Sequence, residues 1–402
     1  MQTIKEKKNP KNKTKRVKAK KINKENIAPN DWTNILQISN PTKNDLERIW
    51  KILLTAWTVK DKRILQDGSL IYANTEKNKK EKSHSFNDPI KLDDLQEILL
   101  KKRAEKTKDD QKNRTRENAE VFTPLWVCNN QNDLVDQDWF DKKEGLFLTG
   151  NKTKFNNFLK NKHWEDFQPY VLLPRMEITC GEAPYLVSRY DVTDSNIKPN
   201  SINGRVGLLD RKLRIINHFI KKENKAAWEE WIIKAFQSIY GFEYQGDNLL
   251  LARINLFNTF CDYYKDKFGK NPSVEEEKEL IDKIADIISW NLWQMDGINY
   301  CIPQNDQIGK KNPIENKNPT TEDIGKLYGS NQNQQNQNNS LLYCIIKDWT
   351  VKEKLEDSSK DNSKQNLQNI LYFENFGNSR IFKSDDLKHL GDLLPVNPSD
   401  NN

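Results

Sequence analysis

Residues 240–256, Tyr-Gly-Phe-Glu-Tyr-Gln-Gly-Asp-Asn followed by Leu-Leu-Leu-Ala-Arg-Ile-Asn-Leu, read as a short buried strand that closes on Glu243 and turns directly into a helix. In Rossmann-like sheets, ligands bind beyond the carboxyl ends of the parallel strands, and an acid closing the second strand accepts hydrogen bonds from ribose hydroxyls. Glu243 is therefore a candidate ribose ligand. Its plainer alternative is a helix cap or a surface acid, so the rest of the chain has to supply partners.

At 402 residues the chain can hold two or three domains and at least one sizeable core. Only 35% of residues are hydrophobic and 31% are charged, so some segments are expected to be solvated or disordered. The net charge of +7 is concentrated at one end: residues 1–25 carry eleven Lys or Arg against Glu6 and Glu25, which leaves the remainder at −2. Such a tail binds phosphate only through nonspecific counterion release; a solvated appendage and a DNA-contacting arm are both consistent with it. No presequence core and no span of roughly 20 apolar residues is found, so the chain is expected to be soluble and cytoplasmic, with no membrane partner. Cys128, Cys180, Cys261, Cys301 and Cys344 are odd in number and widely spaced, and His84, His163, His218 and His389 show no metal-ligand spacing. No disulfide framework, metal site or Ser-His-Asp chemistry is indicated.

The chain divides into a basic disordered tail (1–30), a helical N-terminal region (31–116), a cofactor-binding domain (117–303), a low-complexity linker (304–340) and a strand-containing C-terminal segment, partly disordered (341–402). Leu46, Ile49, Trp50, Leu53, Leu54 and Trp57 recur at helical spacing, predicting an amphipathic helix over 44–59 opened by Thr42. A further short helix is expected over 92–103. The mixed-charge run that follows, through Arg116, reads as a solvated helix face, with a phosphate-contacting surface as the alternative. Short apolar runs alternate with helical patterns from 119 to 296, the signature of an α/β sheet. Helices are expected over 226–240 and 247–268, strands over 170–178 and 341–346, and an apolar run over 287–295. Asn331 to Asn339 is an Asn/Gln tract, and 357–368 is polar again. Eight of the eleven tryptophans fall between Trp126 and Trp349, mostly on apolar faces, and are assigned to packing.

Four segments appear in an order that would suit a nucleoside-like ligand. In Ala119 to Pro124, a Thr-Pro turn can present N–H and hydroxyl groups to a carboxylate. In Arg175 to Leu186, a strand closes on Glu177, which can bind an ammonium or organise the loop, while Gly181 lets backbone approach the ligand. Glu243 closes the third. The fourth closes on Asp296, which can accept from an adenine amino group or merely begin a turn with Gly297.

The phrases AEVFTP (119–124), EITCGEAPYLVSRYD (177–191), VGLLDRKLR (206–214), YGFEYQGDNLLLARINL (240–256) and WNLWQMDGI (290–298) resemble the adenine-specific N6 DNA methyltransferases of restriction–modification systems, in particular the group called restriction endonuclease subunit M. The resemblance covers roughly the middle half of the chain. It implies a Rossmann-like S-adenosyl-L-methionine-dependent methyltransferase sheet and methylation of a flipped adenine in double-stranded DNA. On this likeness Phe122, Thr123, Pro124, Glu177 and Gly181 would surround the methionine end of the cofactor, Glu243 the ribose, and Asp296 the adenine amine.

Two departures follow. Where the family commonly has a second glycine, this chain has Ala183 before Pro184. The family's catalytic Asn or Asp, followed by two prolines and an aromatic, has no counterpart, because no Pro-Pro pair occurs in the chain. The catalytic residues are thus unassigned, and the catalytic loop and target recognition are expected on a partner chain, with a restriction endonuclease as a further candidate partner. A non-catalytic DNA-binding or scaffold subunit, and more distantly a nucleotide-binding enzyme of another chemistry, are the alternatives.

Overall fold

A computed structural model describes residues 34–60, 63–73, 88–95, 98, 102–118, 120–137, 139–140, 157–160, 162–194, 196–199, 201–297, 302–303, 343–347, 349 and 370–372. The basic tail, the Asn/Gln tract, the 357–368 stretch, Ala119 and Cys301 lie outside them. The fold is mixed α/β and mostly helical, with a small parallel sheet.

The first helix, α1 (Lys43–Leu54), begins where the sequence places it: Thr42 is its cap, with Thr42 Oγ1 accepting from the Asp45 N–H at 3.2 Å. It ends earlier than the apolar spacing predicts. From Thr55 the chain runs as β1 (Thr55–Lys60), whose Thr and Val side chains suit a strand, and it pairs antiparallel with β2 (Arg63–Ser69). The predicted helix over 92–103 is a short 3-10 turn at Leu92–Asp94 with a second at Arg103–Glu105. Next come α2 (Lys108–Asn118), α3 (Leu125–Val135) and α4 (Trp164–Leu172). The strand expected over 170–178 is therefore half helix: only β3 (Arg175–Glu177), beyond Pro174, is extended.

Two helices, α5 (Leu208–Phe219) and α6 (Lys225–Gln237), carry the chain to β4 (Ile239–Glu243), and two more, α7 (Gly246–Phe268) and α8 (Val274–Asn291), carry it to β5 (Leu292–Gln294). The apolar run before Asp296 is thus mostly the end of α8. Helical crossovers make the order β3-β4-β5 all parallel, with β4 central and fully buried. The register pairs Glu177 with Gly241 and Glu243 with Gln294. With a side-chain period of two, Glu177 and Glu243 share one face at the carboxyl ends of adjacent strands.

The strand expected over 341–346 forms as β6 (Tyr343–Lys347), but in a second sheet of order β2-β1-β6-β7, where β7 is Ile370–Tyr372. One apolar core runs from Leu36 and Trp50 on the N-terminal side to Phe257 and Leu292. Arg253, fully buried on α7, joins these parts. Its guanidinium donates to the carbonyls of Leu53, Thr55, Ser289 and Leu292 at 2.5–3.1 Å, and burial pushes it down to about 9. Gln294 adds a second tie, its amide pairing with the backbone N–H and C=O of Ile71 at 2.9 and 2.8 Å. Cys128, Cys180, Cys261 and Cys344 are buried free thiols. Among the described residues no helix is long and apolar enough to cross a membrane.

Candidate functional site

A cavity of about 800 Å³ opens beyond the carboxyl ends of β3 and β4. Its walls include Phe122, Thr123, Glu177, Gly181 and Glu243, so five of the seven residues proposed from sequence meet there. Pro124 does not line it; Pro124 is the N-cap residue of α3, whose first N–H, from Leu125, is taken by Asp191 at 2.9 Å. Asp296 does not line it either. It sits half-buried just past β5, where the chain has already left the sheet.

The loop after β3 is what shapes the floor. Thr179, Gly181 and Ala183 all adopt positive φ, at 50°, 53° and 63°. Left-handed backbone costs an L-residue about 1–2 kcal/mol, so this loop is held by its surroundings. What holds it is the pair of carboxylates. Glu243 Oε2 accepts from the Gly181 N–H at 2.9 Å and Oε1 from the Gln245 N–H at 3.1 Å. Glu177 accepts from the N–H groups of Tyr185 and Leu186 at 3.4 and 3.1 Å. Phe122 closes over the loop: a Cβ on Gly181 would come within 2.6 Å of its ring. Ala183, the residue standing where a second glycine was expected, takes the left-handed conformation that favours glycine, and it is fully buried.

Burial pushes the Glu243 carboxyl up to about 7, against the two N–H donors that lower it; the charges of Glu120 and Asp247 push the same way as burial. Burial also raises Glu177 well above the usual carboxylate range, and the Glu243 charge adds to it. Cys180, beside them, has its thiol pushed well up by burial and by both carboxylates, which disfavours the thiolate.

Several residues that shape the cavity and its surroundings were not evident from sequence. The mixed-charge run is a solvated face only in part: Arg114 is 3% exposed and sits between Glu120, at 2.5 Å, and Asp247, at 3.1 Å, with Lys106 at 3.8 Å from Asp247. Burial opposes the charge on Asp247, yet Arg114 and Lys106 hold its carboxyl below the ordinary value. Lys108, Lys112 and Arg116 remain exposed on α2. Behind the lining residue Arg175, Asp136 accepts from Arg175 and Tyr170 at 2.6 Å each and from Arg211 at 3.2 Å, which fixes α3 and α5 against the start of β3. The pairings join residues far apart in sequence, and no local pattern signals them.

The walls thus hold three carboxylates, Glu120, Glu177 and Glu243, and one cation, Arg175, already paired with Asp136. Among the described residues no group of three His, Cys, Asp or Glu side chains is placed to hold a metal ion. No protein-family profile, curated protein or solved structure matches the chain.

Proposed function

We propose that the chain binds S-adenosyl-L-methionine on a Rossmann-like sheet and serves as a DNA adenine N6 methyltransferase (modification) subunit of a restriction–modification system. The observation that carries this is Glu243, buried at the carboxyl end of the central parallel strand and bonded to the Gly181 N–H on the floor of an about 800 Å³ cavity. That volume suits a ligand of this size. Each Glu243 oxygen uses one lone pair on a backbone N–H and has another for a ribose hydroxyl.

The charge of the walls argues against other nucleotide chemistries. A di- or triphosphate needs several cations or a glycine-rich nest, whereas this cavity offers three carboxylates and a paired arginine. A ligand without phosphate suits it better, and Glu177 and Glu243, both pushed up by burial, offer such a ligand hydrogen bonds more than charge. When bound, S-adenosyl-L-methionine would supply a methyl group for transfer to an exocyclic amine. Glu243 would hold the ribose, Glu177 would keep the loop at 178–186 closed around the methionine end, and Phe122 would seal it from water.

A second reading is a non-catalytic subunit with the same fold, favoured by the absence of any Pro-Pro pair in the 402 residues. Calorimetric titration with S-adenosyl-L-methionine tests the first. Micromolar binding, lost in Glu243→Ala, is expected; no heat at millimolar cofactor would sink it. If it binds, transfer of labelled methyl to double-stranded DNA is expected only with a second chain supplying the Pro-Pro-aromatic loop. Transfer by this chain alone would refute that division of labour.

A further inference from the structure

The parallel sheet is open on one side, and the cavity runs along the opening. In the order β3-β4-β5, β3 is an end strand, so one of its edges meets no other described strand. Its register decides what that edge presents. The Arg175 N–H donates to the Ser238 carbonyl at 2.9 Å, and Arg175, Met176 and Glu177 pair in step with Ile239, Tyr240 and Gly241. Main-chain groups alternate sides along a strand, so those of Arg175 and Glu177 turn to β4. The Met176 N–H, the Met176 carbonyl and the Ile178 N–H turn outward, a donor, an acceptor and a donor in a row. Arg175, Met176, Glu177 and Ile178 all line the cavity, although successive side chains leave a strand on opposite faces; a cavity reaches all four only along the edge.

The border of this edge is apolar. Val121, Val135 and Ile178 line the cavity and are 78%, 56% and 49% exposed. α3, which carries Val135, also exposes Trp126 and Leu134, and its one charged residue, Asp133, is paired with Arg211 at 2.6 Å. In a chain with 31% charged residues, such a helix has the charge-poor composition of an interface core. The topology says what kind of element belongs there. Across the sheet the strands run β5-β4-β3, which is the 3-2-1 half of a doubly wound sheet; in that fold the next strand pairs parallel with the first, and the ligand crevice lies at the reversal. The later described strands of this chain, β6 and β7, belong to the other sheet. A second copy would bring β3 to β3 about a two-fold axis, which pairs them antiparallel.

We propose that the free edge of β3 is the docking surface for a partner chain, which adds an apolar strand parallel to β3 and so sets the residues after that strand at the cavity mouth. This rests on the Rossmann-like reading of the sheet and locates the attachment of the second chain invoked above.

The probe is a synthetic peptide with a Val- and Ile-rich strand followed by Asn-Pro-Pro-Tyr, and its control is the same peptide N-methylated at alternate strand residues, which removes the donors that pairing needs. Binding to the full chain is read by calorimetry and by amide hydrogen exchange. The peptide is expected to bind and to slow exchange at the Met176 and Ile178 amides about 10-fold or more, leaving Arg175 and Glu177, already bonded to β4, unchanged. Met176→Pro removes an outward N–H without breaking the β4 ladder, and it should weaken the peptide about 10-fold while S-adenosyl-L-methionine binds as before. If that variant unfolds, the exchange pattern of the wild-type chain decides. No binding at millimolar peptide, or equal binding of the N-methylated control, would overturn the docking surface and leave the cofactor reading standing. A wild-type dimer that Met176→Pro dissociates would overturn it too, because a second copy would then hold the edge. Peptide binding by a chain that gives no heat with S-adenosyl-L-methionine would sink the cofactor reading alone.

Discussion

The most discriminating perturbation of this site is pH. In the unliganded chain Glu243 titrates near 7, because it is buried and only two backbone N–H groups favour its charge. A ribose diol donating to its remaining lone pairs favours the ionised form, so binding has to expel the proton. At pH 7 about half the sites hold that proton, and binding should release about 0.5 proton per ligand. At pH 6 roughly nine sites in ten are protonated, so the apparent affinity should be about 10-fold weaker than at pH 8, where it levels off. Calorimetry in two buffers of different ionisation enthalpy reads the proton release directly. 5′-Methylthioadenosine is the better probe, because it keeps the diol and lacks the ligand amine, leaving the protein as the only source of the proton. Glu243→Gln should bind more weakly and abolish the pH dependence. Buffer-independent heats at pH 7, or tighter binding at pH 6, would refute a diol held by Glu243.

Further outcomes follow from the same geometry. The folded chain keeps the Glu243 proton between about pH 4.5 and 7 while the unfolded chain has lost it, so stability falls as pH rises through that window. The expected loss is roughly 3 kcal/mol relative to Glu243→Gln, read by denaturant unfolding at pH 5 and pH 8. Gly181→Ala places a methyl against Phe122 in left-handed backbone and should cost about 1–2 kcal/mol of stability as well as ligand affinity, measured by thermal unfolding and calorimetry. Asp136→Asn leaves buried Arg211 and Arg175 short of charge and should cost about 3–5 kcal/mol in urea unfolding; a loss below about 1 kcal/mol would mean that Asp133 alone suffices. Arg253→Met strips donors from carbonyls of α1, β1 and β5 and should lower stability by several-fold more than the exposed control Lys112→Met.

What could be read from sequence was what is locally determined. Thr42 announces α1 because a cap and its Asp45 partner lie three residues apart, and Glu243 announces the site because a strand end and a helix start adjoin it. Gly181 was readable for a similar reason, since a tight turn after an acid needs left-handed backbone. Element ends were not. The apolar spacing of α1 continues through Trp57, but pairing with β2 and β6 pulls Thr55 onward into a strand. The runs before Ile178 and Asp296 mix helix and strand, because burial on all sides erases the period that would separate them. Asp296 was assigned on the assumption of a long strand; β5 is three residues, and the acid falls outside the cavity.

The charged run between Lys101 and Arg116 shows how far composition can mislead about partners. Read as a list of cations, it suits phosphate. Folded, Arg103 faces Glu120, Lys106 and Arg114 face Asp247, and Arg114 also fixes Glu120, so these charges compensate acids at the cavity rim. A cation committed to a buried carboxylate cannot be withdrawn to a DNA backbone without leaving that acid uncompensated, at a cost of several kcal/mol. On the proposed function, the exposed cations of α2 that a duplex could reach are Lys108, Lys112 and Arg116. Neutralising those three should flatten the salt dependence of DNA binding without touching the ligand site. Arg114→Met should do the reverse, because it leaves Asp247 and the cavity-lining Glu120 without their buried cation.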